Sequence, residues 1–310
     1  MSENEPVIDC RNLTKRYRAE TAVENLDWQI HQGTVTALLG KNGAGKTTTL
    51  SMLANLIRPT RGEALIFGTP VTKLVSSDFA KLGYVSESQQ LPEWMSIAYL
   101  LDYLKPMYPT WDDAFCAKLV ELFEMPLDRK IKHLSRGMRM KAAFVSSLAY
   151  RPELLLLDEP FSGLDTIVRE DLIDALLDLT EQERWTIVIS SHDIDDIERL
   201  VDHVAILNHG RLLLHEPIEA IQERFREISF LTIHDDEALI ESGWLGYQQQ
   251  GERVSFTETA FEEERSLALL REKYPDLRDL SVNRVPLKAA YVSLLRARSE
   301  RATPNPRIAL

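Results

Sequence analysis

Residues 134–165, LSRGMRMKAAFVSSLAYRPELLLLDEPFSGLD, constrain the fold of this chain more than any other stretch. They join a Ser-Gly turn, a helix, an apolar strand and a second Ser-Gly turn ending in Asp165. The strand LLLLDE (154–159) shows no apolar–polar alternation before it reaches Asp158 and Glu159. Such a strand needs cover on both faces, which helices on either side of a sheet supply. A second one, WTIVISS (185–191), follows the amphipathic helix VREDLIDALLDLTEQ. Upstream, TVTALLG runs straight into GKNGAGKTT (40–48), and a helix is expected from Gly45 to Leu56, ahead of Arg58-Pro59. The alternation predicts an α/β core.

The glycine-rich segment fits G-x-x-x-x-G-K-[ST], with Gly40, Gly45, Lys46 and Thr47 at the fixed positions. Asn42, Gly43, Ala44 and Thr48 complete a loop whose backbone N–H groups can face a phosphate, at the positive end of the following helix. Lys46 is expected to reach the β- and γ-phosphates and the Thr47 hydroxyl to ligate Mg²⁺. Asp158 and Glu159 sit at the carboxyl end of their strand, where ligands bind in open α/β sheets. Asp158 is expected to hold Mg²⁺ through water, and Glu159 to orient or deprotonate the attacking water. His192 follows TIVISS at another strand end. It reads either as a donor to the γ-phosphate or as an ordinary satisfied polar residue, and the neighbouring motifs favour the first.

Other features narrow the class. The net charge of -12 argues against broad nucleic-acid binding, which needs clustered basic residues. Cys10 and Cys116 are far apart and lack metal-ligand spacing, as reduced cytosolic thiols would. No apolar run approaches the roughly 20 residues of a membrane-spanning helix, and MSENEPVIDC lacks a signal-peptide layout. A cytoplasmic location is expected, with membrane contact only through a partner. Helical texture covers SIAYLLDYLKPMY and DDAFCAKLVELFEM, and DDIERLV (195–201) reads as a further helix before a hairpin around Asn208-His209-Gly210. From about Ile228 the strands alternate apolar and polar residues, which marks a small α+β domain over 228–302; the tail 303–310 is expected to be disordered.

In this order and spacing, GKNGAGKTT, LSRGM, LLLLDEP, SGLD and SSHD resemble the ATPase subunit of ABC transporters. The resemblance implies a P-loop NTPase core over 1–227: a mixed sheet with flanking helices, an antiparallel β subdomain and a helical insert at about 88–150. It implies ATP and Mg²⁺ as ligands, and head-to-tail dimerisation around ATP, as a homodimer or with a paralogue. It further implies that hydrolysis drives a separate transmembrane permease, with this subunit on the cytoplasmic face of the membrane. By the same resemblance Tyr17 stacks on adenine, and Glu87 stands where the family usually places a metal-facing Gln. LSRGM occupies the place of the usual LSGGQ signature, with Ser135 and Gly137 meeting the partner's nucleotide. Arg136 there adds a positive charge that reads either as a phosphate contact or, preferably, as a solvated surface residue. PTWDDAF and PLKAAYVSLL resemble the bacterial drug- and antibiotic-exporter group. The competing reading is a soluble ABC ATPase of DNA repair or translation, which a single cassette and the acidic charge disfavour.

Overall fold

A computed structural model describes residues 5–302 other than 19, 184, 196, 234–240 and 242. The expected tail 303–310 lies outside the described residues. The chain divides into two compact units, Met1–His215 and Glu216–Leu310, so the change of texture at Ile228 falls inside the second.

The first unit opens with β1 (Ile8–Tyr17), β2 (Glu20–Ile30), β3 (Val35–Leu39), α1 (Lys46–Leu53), β4 (Arg61–Ile66) and β5 (Thr69–Pro70). It continues through α2 (Ser76–Phe79), β6 (Leu82–Ser86), α3 (Ile97–Leu104), α4 (Asp113–Leu122), α5 (Arg136–Leu148) and β7 (Leu154–Asp158). Then come α6 (Thr166–Glu183), β8 (Thr186–Ser191), β9 (His203–Asn208) and β10 (Arg211–Pro217).

One sheet of this unit runs β2-β1-β4-β5, and its strand pairs are antiparallel. The other runs β10-β9-β3-β8-β7-β6. Within it β9, β3, β8, β7 and β6 pair in parallel, and β3, β7 and β8 are buried along their whole length. Parallel register brings the carboxyl ends together: Asp158 pairs with both Ser86 and Ser190, and Leu39 with Ser191. Gly40, Glu87, Glu159 and His192, each the first residue past its strand, therefore share one edge of the sheet.

Among the described residues of 195–201 the expected helix does not form. Ile197 and Glu198 N–H groups both donate to the Ile194 carbonyl, and the Leu200 N–H to that of Ile197, which makes successive turns. The Asp193 side chain accepts from the Asp195 N–H, and buried Ile194, Ile197 and Leu200 anchor the segment. The hairpin after it does form. His209 and Gly210 both have positive φ (47° and 76°), as a two-residue turn that follows the strand twist requires.

The second unit contains α7 (Ile218–Arg224), β11 (Arg226–Leu231), β12 (Trp244–Gln250), β13 (Arg253–Glu258), α8 (Glu263–Lys273), β14 (Arg278–Arg284) and α9 (Leu287–Ala302). Its antiparallel sheet runs β12-β13-β11-β14. Ile228, Phe230, Val254 and Phe256 alternate inward and pack against Leu270 and Tyr274 from the α8 side, so the unit has a core of its own.

Candidate nucleotide site

The loop between β3 and α1 is built by its glycines. Gly45 adopts φ 105°, and a Cβ there would lie 2.4 Å from the Ala22 carbonyl oxygen of β2. A Cβ on Gly40 would meet the Leu207 carbonyl oxygen at 2.5 Å. The loop is also tied down, since the Gly210 N–H donates to the Ala44 carbonyl (2.9 Å) and the Gly210 carbonyl accepts from the Glu24 N–H (2.8 Å).

Lys46 is buried, and its ammonium group donates to the Gly40 carbonyl at 2.6 Å and lies 3.0 Å from Glu159 Oε1. Glu159 has φ 50°, a left-handed turn that ends β7, with its N–H donating to Ser190 Oγ at 2.9 Å. Its Oε2 lies 2.8 Å from His192 Nδ1. Thr47 Oγ1 and Ser190 Oγ both donate to Asp158 Oδ1, at 3.0 and 2.8 Å. Burial pushes the Asp158 carboxyl above its ordinary pKa, and those two hydrogen bonds pull it partly back.

A cavity of about 460 Å³ opens over this edge, lined by Tyr17, Asn42, Gly43, Ala44, Gly45, Lys46, Thr47, Thr48, Glu87 and Glu159. Tyr17 is half-exposed, with the Lys15 ammonium 5.0 Å from its ring. Asp158 and His192 join through Thr47 and Glu159. Ser135 and Gly137 are not among the lining residues. Ser135 caps α5, accepting from the Met138 N–H at 3.2 Å, and Gly137 leaves room for Val168, whose side chain a Cβ would meet at 2.8 Å. Arg136 is not merely solvated: it donates to the Glu87 carboxylate and, at 2.8 Å, to the Ser162 carbonyl.

A nucleoside triphosphate is the ligand this geometry fits. A backbone cradle, a buried ammonium group, and acids and hydroxyls at adjoining strand ends surround a cavity with an aromatic at its rim. The ABC transporter family model matches residues 23–162. The bacitracin transport ATP-binding protein BcrA of Bacillus licheniformis is 31% identical over 76% of this chain and 77% of its own length. The chain belongs to the ATP-binding subunits of ABC transporters. The ABC transporter ATP-binding protein YtrB of Bacillus subtilis is 30% identical over 72% of this chain and 76% of its own.

Among solved structures, an ATP-binding subunit of an ABC transporter superposes with a TM-score of 0.63 at 26% identity, covering 70% of this chain and 92% of the other. The cassette MJ0796, solved as a dimer bound to ADP and Pi, gives 0.60 at 25% identity, covering 68% and 98%. As a member of this family the ABC subunit binds and hydrolyses ATP, and the reading as a DNA-repair or translation ATPase finds no support in these relatives.

Sequence reasoning missed Ser190, Glu20 and Ala22 in the site, and the Gly210 tether behind it. Only Ser190 had a usable signal, as the penultimate residue of a strand that ends in TIVISS beside Asp158.

Proposed function

We propose that this ABC subunit works as one of a head-to-tail pair that closes around two Mg²⁺–ATP and drives a separate export permease. One observation carries the pairing: Ser135 and Gly137 begin a helix outside the cavity formed by Lys46, Thr47 and Glu159. A helix N-terminus has unpaired N–H groups suited to phosphate, and a second subunit's nucleotide can reach it. Both halves of such a composite site are present in this chain, so two copies make two complete sites. The MJ0796 cassette is dimeric with ADP and Pi bound, which supports pairing of two such subunits. Size-exclusion chromatography with and without ATP tests it: an ATP-dependent shift to a dimer is expected, and a monomer at saturating ATP would sink it.

Within the cavity, Tyr17 stacks on adenine and the loop 40–48 cradles the phosphates, with Lys46 against the outer two. Glu159 orients and deprotonates water, and His192, held by Glu159, donates to the γ-phosphate. The donor set Thr47 Oγ1, Asp158 Oδ1 and the Glu87 carboxylate consists of hard oxygens and suits Mg²⁺. The metal would neutralise phosphate charge there, and it would favour the ionised form of Asp158 that burial opposes. Tyr17→Ala is expected to weaken ATP binding by about tenfold, the value of one stacked ring pair. Isothermal titration with ATP and with GTP checks this, and unchanged affinity for both would remove Tyr17 from the base site.

The permease contact is assigned to a cavity of about 360 Å³ lined by Leu56, Tyr84, Gln89, Leu91, Pro92 and Tyr103, directly past Glu87. Its rim leaves Leu56 and Tyr103 exposed to solvent, an apolar surface suited to an amphipathic permease helix. The resemblance to exporter subunits and the name of BcrA, a bacitracin transport protein, favour export of a drug-like molecule. Tyr103→Glu is expected to weaken permease binding roughly thirtyfold, as loss of a central aromatic anchor does, with ATP turnover of the isolated subunit retained. Unchanged co-purification with the permease would move the contact elsewhere.

A further inference from the structure

Glu87 forms part of two cavities at once. It lines the nucleotide cavity with Lys46, Thr47 and Glu159, and also a cavity of about 340 Å³ lined by Arg136 and Arg139. Its backbone is fixed by an N–H donated to the Asp158 carbonyl at 3.0 Å. Its side chain is engaged by Arg136 Nη2, the same nitrogen that donates to the Ser162 carbonyl at 2.8 Å. Gly163 makes the space: at φ +63° it carries no Cβ, and one built there would lie 2.5 Å from Arg136 Nη1. One guanidinium thus ties together the loop after β6, the first turn of α5 and the Ser-Gly turn after β7.

Each charge of this pair is unfavourable alone. Arg136 is the first residue of α5, where a cation opposes the helix dipole. Glu87 adds a negative charge to a cavity that has to receive a triphosphate. Together the two cancel. We propose that Arg136 is a positioning residue for the nucleotide site of its own subunit: it neutralises Glu87 and fixes the carboxylate on the wall between the two cavities. The inference rests on the reading of Glu87 as facing Mg²⁺–ATP, and it assigns Arg136 a role within its own chain.

A double-mutant cycle on the full chain tests it, with ATP turnover measured against Mg²⁺–ATP and against free Mg²⁺. Arg136→Gly is expected to raise KM for Mg²⁺–ATP about fivefold, with a smaller effect on kcat, because Glu87 is left uncompensated. Adding Glu87→Gln to that variant is expected to return KM to within about twofold of the parent protein, and Arg136→Lys to retain part of the effect. The Arg136→Gly defect should shrink with added salt, as a charge effect and not a packing effect does. Single effects that simply multiply in the double variant would overturn the proposal. So would a pair that couples in the melting temperature of the nucleotide-free protein but not in KM, since that makes the contact only structural. Glu87→Gln with an unchanged dependence on free Mg²⁺, while the pair still couples in KM, would overturn the metal-facing reading of Glu87 and leave Arg136 its role.

Discussion

Replacing Glu159 by Gln is expected to lower ATP turnover by at least about a hundredfold, the contribution of a positioned general base, while leaving ATP bound. The reason lies in what the carboxylate touches. One oxygen is 3.0 Å from the Lys46 ammonium group and the other 2.8 Å from His192 Nδ1, so Glu159 sits among the groups that reach the outer phosphates. An amide keeps the shape and one acceptor but cannot take a proton from water. Because Gln still fits between Lys46 and His192, the melting temperature should stay within about 3 °C of the parent protein. ATP that binds and is not hydrolysed should hold the subunits together, and a stable ATP-dependent dimer should elute from a sizing column. Phosphate release read in single turnover separates the chemical step from product loss. Near-normal hydrolysis would remove Glu159 from its role, and loss of ATP binding would show it to be part of the phosphate cradle instead.

The core of the site was legible because its signals are local. GKNGAGKTT needs its glycines for backbone reasons that the sequence displays, and unbroken apolar strands announce that Asp158, Glu159 and His192 stand at carboxyl ends. What was not legible depends on pairing over distance. Ser190 joins Asp158 only because β7 and β8 lie side by side in one register. Gly210 ties down the phosphate loop from the far hairpin, and nothing near residue 44 points to it. Arg136 and Glu87 stood out as two separate departures from the family pattern, and only the fold shows that they answer each other. The segment 195–201 failed for the opposite reason. Its apolar spacing is a local signal that suits a helix, yet successive turns bury Ile194, Ile197 and Leu200 at that same spacing.

Gly45→Ala is expected to abolish measurable ATP binding, a loss of about a hundredfold or more, whereas Gly43→Ala costs only about five- to thirtyfold. The two positions look alike in the sequence, yet their surroundings separate them. Both have positive φ, +105° at Gly45 and +82° at Gly43, so an alanine at either carries a backbone penalty of about 1–2 kcal/mol. At Gly43 that is the whole cost, because a Cβ there meets nothing within 4 Å. At Gly45 the Cβ would fall 2.4 Å from the Ala22 carbonyl oxygen, a backbone atom of β2 with no free rotor to move it aside. Either β2 shifts or the loop does, and Lys46 and Thr47 follow Gly45 directly. A displacement near 1 Å at such groups costs on the order of a hundredfold in positioning. Strain at a left-handed position joined to a backbone clash should also lower the melting temperature by roughly 5–10 °C. Titration of ATP into both variants, with thermal melting alongside, checks the pair. Wild-type-like affinity in Gly45→Ala would mean that the loop has room the structure does not give it, and equal losses in both would mean that backbone conformation, not the approach of β2, sets the cost.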